Sequence, residues 1–527
     1  MNWKKAALLL LTILSVGQTS ARPLIVCTEA SPDGFDPVRY STLTITNASA
    51  DVVFDGLVAY DTATGKIAPA LAQSWDVDAS GMIYTFHLRH NVPFQTTRYF
   101  KPGRTFDADD VVATFDRMTN PENPWRKAQP GVVLPSVLSQ QIPSLVRSVE
   151  KVDASTVRIT LSRPDAAFLA TLSMGFASIY SAEYMAQLLK RAPDAGAALN
   201  AQPVGTGPFV FQGYLRDATV RYAANPAYWG GKPGVQGLIY AITPDSGVRR
   251  QKVLAGECDI ALAPAPEDVA AARKAPALKV LEVPGFMTSF VAVNTQRPGL
   301  DNVLVRRAIN LAFDRDGYVR TVFRGSAAAA LAPYPGKNVV ATAYGYDPAQ
   351  ARKYLAQAGR GKGLSLTIWT RSKGSTLNPA PEVGAQLLQA DLVKVGIDAH
   401  IKTLEWGELL HEIKQGQYDL LFMGWAGDNG DPDNFMSPLF SCAAIQGGTN
   451  FQRVCDSALD SEITQGKSRS STVKRAQAYA SALARVRDQA AWIALAHPSV
   501  SALVRNGVSG YRVSPFGRVD FSKVTVR

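Results

Sequence analysis

The stretch Phe422-Met-Gly-Trp-Ala-Gly-Asp-Asn-Gly-Asp-Pro-Asp-Asn-Phe435 decides the fold, because an apolar run ends there in glycines, carboxylates and a proline. The run from Tyr418 to Met423 is typical of a buried strand. A strand that stops so sharply delivers its last residues, here Trp425, Gly427 and Asp428, to a cleft. A carboxylate beside a tryptophan suits a cationic group. The alternative interpretation is a surface turn, since turns use the same residues.

The residues before this stretch predict a βαβ unit. Leu364 to Trp369 and Ile397 to Leu404 have the pattern of strands, and between them Pro381 opens a helix that Gly396 ends. Such a unit implies parallel strands and a right-handed crossover. A helix from about Trp406 to Gln415 then leads to the strand before Asp428. The Asp428 loop is therefore expected at the carboxyl end of a strand in an open α/β sheet, where ligands bind.

The first half of the chain also mixes strands and helices. A helix capped by Asp107 carries an apolar stripe of Val111, Val112, Phe115 and Met118. Further strands are predicted at 24–28, 83–88, 157–161, 238–243 and, near the end of the chain, 492–496; in the second of these Tyr84, Phe86 and Leu88 share one face. About 500 residues exceed what one core supports, so at least two α/β domains are expected.

The amino terminus has the pattern of a signal peptide. Lys4 and Lys5 precede an apolar run over 6–16, which is too short to span a bilayer, and small residues up to Ala21 suit cleavage. We therefore predict an exported protein without a lipid anchor, because the residues before Cys27 are not those of a lipoprotein box. No later stretch is apolar for long enough to predict a transmembrane helix.

The charge of the chain argues against nucleic acid as a partner. The net charge is +11, and it falls to +9 without residues 1–21. The excess of positive charge is dispersed, and the loop 359–363 is too short to act as a basic tail.

Four cysteines, Cys27, Cys258, Cys442 and Cys455, fit two disulfides in an oxidising compartment. The sequence permits three pairings. Cys442 lies 13 positions before Cys455, which makes this short loop the natural first pair and would leave Cys27 with Cys258.

Enzymatic and metal-carrying functions find little support in the sequence. There is no Gly-x-Ser-x-Gly nucleophile elbow, and His411-Glu412 lacks the second histidine of a zinc-protease motif. The five histidines are scattered, and the cysteines are better used as disulfides. We expect a protein that is not an enzyme, with no cofactor and no metal site.

Six motifs are spread along the whole mature length: Ser31-Pro-Asp-Gly-Phe-Asp-Pro37, Pro69-Ala-Leu-Ala72, Asp107-Ala-Asp-Asp-Val-Val112, Val204-Gly-Thr-Gly-Pro-Phe209, Tyr228-Trp-Gly-Gly-Lys-Pro233 and Gly424-Trp-Ala-Gly-Asp-Asn-Gly-Asp-Pro-Asp-Asn434. Together they resemble one family, the extracytoplasmic peptide-binding proteins of ABC importers (family 5). They are most similar to its dipeptide-binding and Sap-type peptide-sensitivity branches.

This resemblance implies a two-lobed periplasmic-binding-protein fold with a hinged cleft. Lobe I would comprise 22–285 plus 499–527, with an extra subdomain inserted at about 55–200, and lobe II would comprise 286–498. The resemblance also implies the two disulfides named above. The expected function is capture of short peptides in the periplasm by a monomer that delivers them to a membrane permease; the alternative is haem, nickel or an antimicrobial peptide as ligand.

The resemblance further implies that Asp428 holds the amino terminus of a peptide. At the other end of the ligand the chain departs from the family. Dipeptide binders have an arginine three residues before an Asn-Pro pair, where this chain has Ser375. Arg371 and Lys373, in the same loop, are the candidate substitutes. Without a substitute, the ligand carboxylate is held weakly and peptides of three or more residues are accepted.

Two tryptophans are candidate walls of the binding pocket. Trp425 adjoins Asp428, and Trp406 begins the preceding helix. An aromatic face accepts varied side chains, whereas a place in the core is the alternative for each ring.

Overall fold

In the computed structural model, the residues described are 22–61, 64–191, 194–336, 339–361, 363–468 and 471–527. The predicted signal peptide, residues 1–21, lies outside them. Within the described residues, no helix is both long and apolar enough to cross a membrane.

Twenty strands are found in the described residues: β1 Leu24–Thr28, β2 Val58–Asp61, β3 Lys66–Pro69, β4 Ala72–Val77, β5 Ile83–Leu88, β6 Val146–Asp153, β7 Thr156–Leu161, β8 Phe209–Leu215, β9 Thr219–Ala224, β10 Gly237–Ile242, β11 Ile260–Leu262, β12 Leu278–Pro284, β13 Met287–Val293, β14 Ala327–Ala329, β15 Leu364–Arg371, β16 Ile397–Leu404, β17 Leu420–Ala426, β18 Trp492–Arg505, β19 Val508–Ser509 and β20 Thr525–Val526.

The helices of seven or more residues are α1 Ala108–Thr119, α2 Ala182–Leu189, α3 Ala195–Ala201, α4 Ser246–Leu254, α5 Pro266–Ala272, α6 Val303–Ala312, α7 Arg315–Phe323, α8 Pro348–Gln357, α9 Pro381–Lys394, α10 Trp406–Glu412, α11 Asp433–Phe440, α12 Ser457–Ser468 and α13 Thr472–Gln489. Shorter helical segments are Leu43–Ile45, Pro124–Lys127, Pro135–Ser139, Ile142–Leu145, Phe168–Leu172 and Ala443–Gly447.

The predicted βαβ unit is confirmed. Strands β15 and β16 are parallel over their whole length, from Leu364 beside Ile397 to Arg371 beside Leu404. Helix α9 connects them and buries Ala385 and Leu388 in the core of this half of the protein. Strand β17 is parallel to β15 on its other side. Because all three strands run the same way, their carboxyl ends meet at one edge of the sheet.

The last long strand, β18, differs from the prediction. The sequence predicted a strand over 492–496, but β18 continues to Arg505. Its first part pairs with β13 and β14, and its second part pairs with β11 and β12. The residues after Pro498 pair with these later partners, and Ser501 to Val504 are buried, so the strand continues beyond the predicted end. One strand thus runs through both halves of the main sheet.

Two sets of cores define the two lobes. One large core is built from residues between Leu24 and Leu262 together with residues between Ala502 and Val524. Two further cores lie between residues Phe290 and Ala496. The lobe that contains the first core is called lobe I below, and the other is called lobe II. The two-lobed α/β architecture agrees with the sequence prediction.

A separate four-stranded sheet lies within lobe I. Its strands are ordered β4, β5, β7, β6, and all neighbours are antiparallel. As predicted, Tyr84, Phe86 and Leu88 are the buried face of β5. Asp107 caps α1 in a reciprocal capping box with Asp110, which satisfies backbone N–H groups at the helix start. Val111, Phe115 and Met118 of the apolar stripe are buried, and Val112 is half-buried.

Both predicted disulfides are present. Cys27 is joined to Cys258, which fixes β1 beside the segment that leads into β11. Cys442 is joined to Cys455 and closes a short loop behind α11. No cysteine of the described residues is free, as expected for an oxidising compartment.

Candidate functional site

The predicted strand before Asp428 is present but shifted toward the carboxyl terminus. Strand β17 spans Leu420–Ala426, because its residues up to Ala426 continue the antiparallel ladder with β13. Gly427 follows and donates its backbone N–H to the carbonyl of Phe286, at 2.8 Å. A Cβ atom at Gly427 would lie 2.5 Å from the Phe286 ring, so only glycine fits here. This close approach fixes where the chain delivers Asp428.

The loop after β17 carries three aspartates, and two of them are neutralised inside the protein. Arg475 donates from Nη2 to both carboxylate oxygens of Asp431, at 2.7 Å each. The ammonium of Lys467 lies 3.1 Å from Asp433. Among the described residues, nothing donates a hydrogen bond to the carboxylate of Asp428. It is therefore the one acid of this loop that is left for a ligand.

The surroundings of Asp428 favour the binding of a cation. Its side chain is accessible from the cleft, and it lies in a recess that is walled by protein atoms. Desolvation raises its pKa to about 6, and the charge of Arg518 acts in the opposite direction. Arg518 is already engaged, because it donates to Asp51 and to the carbonyl of Ser173. A cation in the recess would therefore stabilise the ionised form of Asp428.

A cavity of about 540 Å³ lies between the two lobes, a size typical of sites for small ligands. Lobe I contributes Glu29, Asn47 and Tyr511 to its wall, among others. Lobe II contributes the loop after β15, including Arg371 and Ser375. Asp428 lines a smaller recess that shares Leu43 and Arg518 with this cavity. The carboxylate and the cavity thus belong to one cleft.

Arg371, the last residue of β15, lines the cavity and lacks an acidic partner there. Its guanidinium carbon lies 4.6 Å from the centre of the Trp406 ring, in a cation–π contact. Its Nε is buried and has no hydrogen-bond partner in the part of the chain that the structure describes. Burial lowers its pKa, while Glu405 acts in the opposite direction. A buried Nε without an acceptor is costly, and an anion that enters beside it would remove that cost.

The other predicted site residues lie in different places. Ser375 lines the cavity, but its backbone and Oγ are used in the turn to Asn378. Lys373 is exposed and is not part of the cavity wall. Trp406 contacts Arg371 through its ring and does not line the cavity. Trp425 is half-buried in the core of lobe II, and its indole N–H lies 3.4 Å from the Asn434 side chain.

The structure adds site residues that the sequence did not indicate. Arg518 and Asp51 pair beside Asp428, although 467 positions separate them in the chain. Leu43 projects into both the cavity and the recess, and 39% of it is exposed. Arg518 lies in the carboxyl-terminal segment. For this segment the family resemblance implied only that it completes lobe I.

Comparisons with known proteins identify the family of this chain. Residues 66–447 match the family model described as bacterial extracellular solute-binding proteins, family 5. The chain is 54% identical to the probable di/tripeptide-binding protein 5 of Pseudomonas aeruginosa (strain UCBPP-PA14), over 99% of each chain. It is 38% identical to the dipeptide-binding protein of Escherichia coli (strain K12), over 100% of this chain and 99% of the relative.

A solved structure shows the same fold. The dipeptide-binding protein of Pseudoalteromonas sp. SM9913 in complex with Met-Leu is 31% identical, with a TM-score of 0.85, and the match covers 96% of this chain and 100% of that one. The family model spans more than half of the chain, and these relatives match it nearly end to end. The chain therefore belongs to the family 5 bacterial extracellular solute-binding proteins.

Proposed function

We propose that this protein captures short peptides in its cleft, with the peptide ammonium bound to Asp428, and delivers them to a membrane permease of an ABC importer. The observation that carries the proposal is the single uncompensated carboxylate in a loop whose two other aspartates are paired. Charge-assisted hydrogen bonds from an ammonium are the strongest contacts that such a site can make. The names of the relatives, which are di- and tripeptide-binding proteins, support the same ligand class.

The ligand carboxylate is proposed to bind Arg371. Its guanidinium lines the cavity that adjoins the Asp428 recess, contacts the Trp406 ring and has no acceptor for Nε among the described residues. The side chain of Ser375 offers no charge, and Lys373 is exposed and does not line the cavity. Of the two candidate substitutes for the missing arginine, the geometry thus favours Arg371. The planar guanidinium of an arginine also matches the geometry of a carboxylate better than the ammonium of a lysine does.

The proposal extends to the organisation of the mature protein. In this proposal the protein is a monomer that is exported to the periplasm after cleavage behind Ala21. Its lobe boundaries lie near residues 285/286 and 498/499. A hydrogen bond between the two proposed boundaries supports this division: Gly285 donates its N–H to the carbonyl of Pro498, at 3.0 Å. Two crossing segments held side by side make a suitable hinge.

The ligand class is tested by what the purified protein carries and binds. We expect mass spectrometry of the denatured protein to release di- and tripeptides, and calorimetry to detect binding of trialanine to ligand-free protein. Titration with haem, followed by absorbance, and with nickel, followed by calorimetry, tests the alternative ligands. A new haem absorbance band or nickel binding, together with no peptide binding, would replace the proposal by that alternative.

Peptide affinity should depend on pH through Asp428. The ammonium needs an ionised carboxylate, and the pKa of Asp428 in the empty cleft is about 6. Affinity should therefore be constant near pH 7 and fall about tenfold per unit below pH 6, as this carboxylate takes up a proton. Calorimetry of trialanine between pH 5 and 7.5 measures this. Asp428→Asn should remove the acid limb, and an affinity of the wild type that is flat down to pH 5 would argue against the assigned role.

A further inference from the structure

Lys467 lies near the end of α12, where lobe II meets lobe I beside the Asp428 loop. Its ammonium is 3.1 Å from Asp433, in the Asp428 loop of lobe II, and 3.6 Å from Asp165 of lobe I. The three side chains are largely buried, with 17%, 6% and 3% of Lys467, Asp433 and Asp165 exposed. One buried cation thus bridges two carboxylates that belong to different lobes.

The backbone at this point also joins the lobes. Ala166 donates its N–H to the carbonyl of Lys467, at 2.8 Å. The segment that contains Asp165 is fixed within lobe I, because Asp165 accepts from the backbone of Ala167 and its carbonyl accepts from Tyr84. Lys467 therefore makes both a side-chain and a main-chain contact with a rigid part of lobe I.

The Asp428 loop itself touches lobe I close by. The Asn429 amide lies 3.5 Å from the sulfur of Met174, and a Cβ atom on Gly430 would lie 2.9 Å from the Tyr60 ring. These contacts, like those of Lys467, exist only while the two lobes are together. The loop that carries the candidate ammonium-binding residue is thus part of the surface that forms when the cleft closes.

We propose that Lys467 is an interlobe latch: it ties Asp165 of lobe I to Asp433 of the Asp428 loop, so that closing the cleft and positioning the peptide-binding carboxylate are one event. Lys467 is a positioning residue and does not touch the ligand. The inference rests on the proposed closure around a peptide and extends it to a residue outside the cavity.

The latch has a kinetic signature. When the lobes separate, Lys467 keeps Asp433 but loses Asp165, and the buried Asp165 loses its cation. The contact forms after the peptide has entered, so its loss should speed dissociation and leave association unchanged. A purely structural role would instead lower the thermal stability of the protein without changing the dissociation rate.

The test uses the full mature protein, with trialanine as the probe and stopped-flow measurement of its dissociation. We expect Lys467→Met, which keeps the length of the side chain, and Asp165→Asn each to speed dissociation by roughly tenfold. The double variant should be no faster than Lys467→Met alone, because the two residues act through one contact. Lys474→Met, on the exposed face of α13, is the matched control and should dissociate at the wild-type rate.

Asp165→Asn leaves the Lys467–Asp433 pair intact, so it isolates the contact between the lobes. If this variant releases trialanine at the wild-type rate, the latch is refuted, whatever Lys467→Met does. If wild-type protein fails to bind trialanine, the proposed ligand class fails instead. The latch is then decided with whichever ligand mass spectrometry finds in the purified protein: Asp165→Asn must release that ligand faster than wild type, and equal release rates would overturn the latch.

Discussion

Replacing Asp428 by Asn is expected to weaken binding of trialanine by about two orders of magnitude, or about 2.7 kcal/mol. The substitution keeps the size of the side chain and part of its hydrogen-bonding capacity, so it removes chiefly the charge that faces the ammonium. In wild-type protein this carboxylate has no hydrogen-bond donor of its own among the described residues. A peptide ammonium bound to the variant would be buried without a counter-charge, which is the costly outcome.

Calorimetry of trialanine binding to the variant measures the loss, and circular dichroism checks that the fold is intact. Asp488→Asn, an exposed change in lobe II, is the matched control and should bind as wild type does. Asp431 is unsuitable as a control because its loss would free Arg475. An affinity of Asp428→Asn within threefold of wild type would identify Asp428 as a turn residue.

Replacing Arg371 by Ala should have the second-largest effect, a loss of about 2 kcal/mol, or roughly thirtyfold in affinity for trialanine. The guanidinium is preorganised on the Trp406 ring and has an unsatisfied Nε. Amidating the carboxyl terminus of the peptide should weaken binding to the wild type by a similar factor. In Arg371→Ala, acid and amide should bind equally, because the group that distinguishes them is gone.

Lys373→Ala is the matched control for this experiment, since Lys373 lies in the same loop but is exposed. It should retain wild-type affinity and the preference for the acid. If amidation is harmless to the wild type, the ligand carboxylate has no rigid partner. Ser375 then stands in place of the arginine without a substitute elsewhere in the loop. A preference for the acid that survives both substitutions would place the carboxylate partner elsewhere in the chain.

The parts of the fold that local patterns determine were predictable from sequence. Strands β15 and β16 with helix α9 follow from apolar periodicity and from Pro381, because burial on one face imposes that spacing. The position of Asp428 just after a buried strand was predictable, because the apolar run before it ends abruptly. The end of β18 was not, because residues after Pro498 are buried by β11 and β12, which lie far away in the chain.

Contacts between residues that lie far apart in the chain carry no local signal. Arg518 and Asp51, or Lys467 and Asp165, have nothing in their neighbouring residues that indicates a partner hundreds of positions away. The choice of Arg371 over Lys373 was also open in the sequence. It depends on the fact that Arg371 is the last residue of β15 and lies over the Trp406 ring at the start of α10, whereas Lys373 follows in the exposed part of the loop.

The proposed contact between Asp428 and the ammonium of a peptide is tested by a two-by-two comparison of ligands and proteins. Calorimetry is performed with trialanine and N-acetyl-trialanine on wild type and on Asp428→Asn. Acetylation should weaken binding to the wild type by about a hundredfold and should cost little more in the variant, because the two changes remove the same contact. An acetylation penalty of equal size in both proteins would show that the ammonium is bound by another group and would contradict the account.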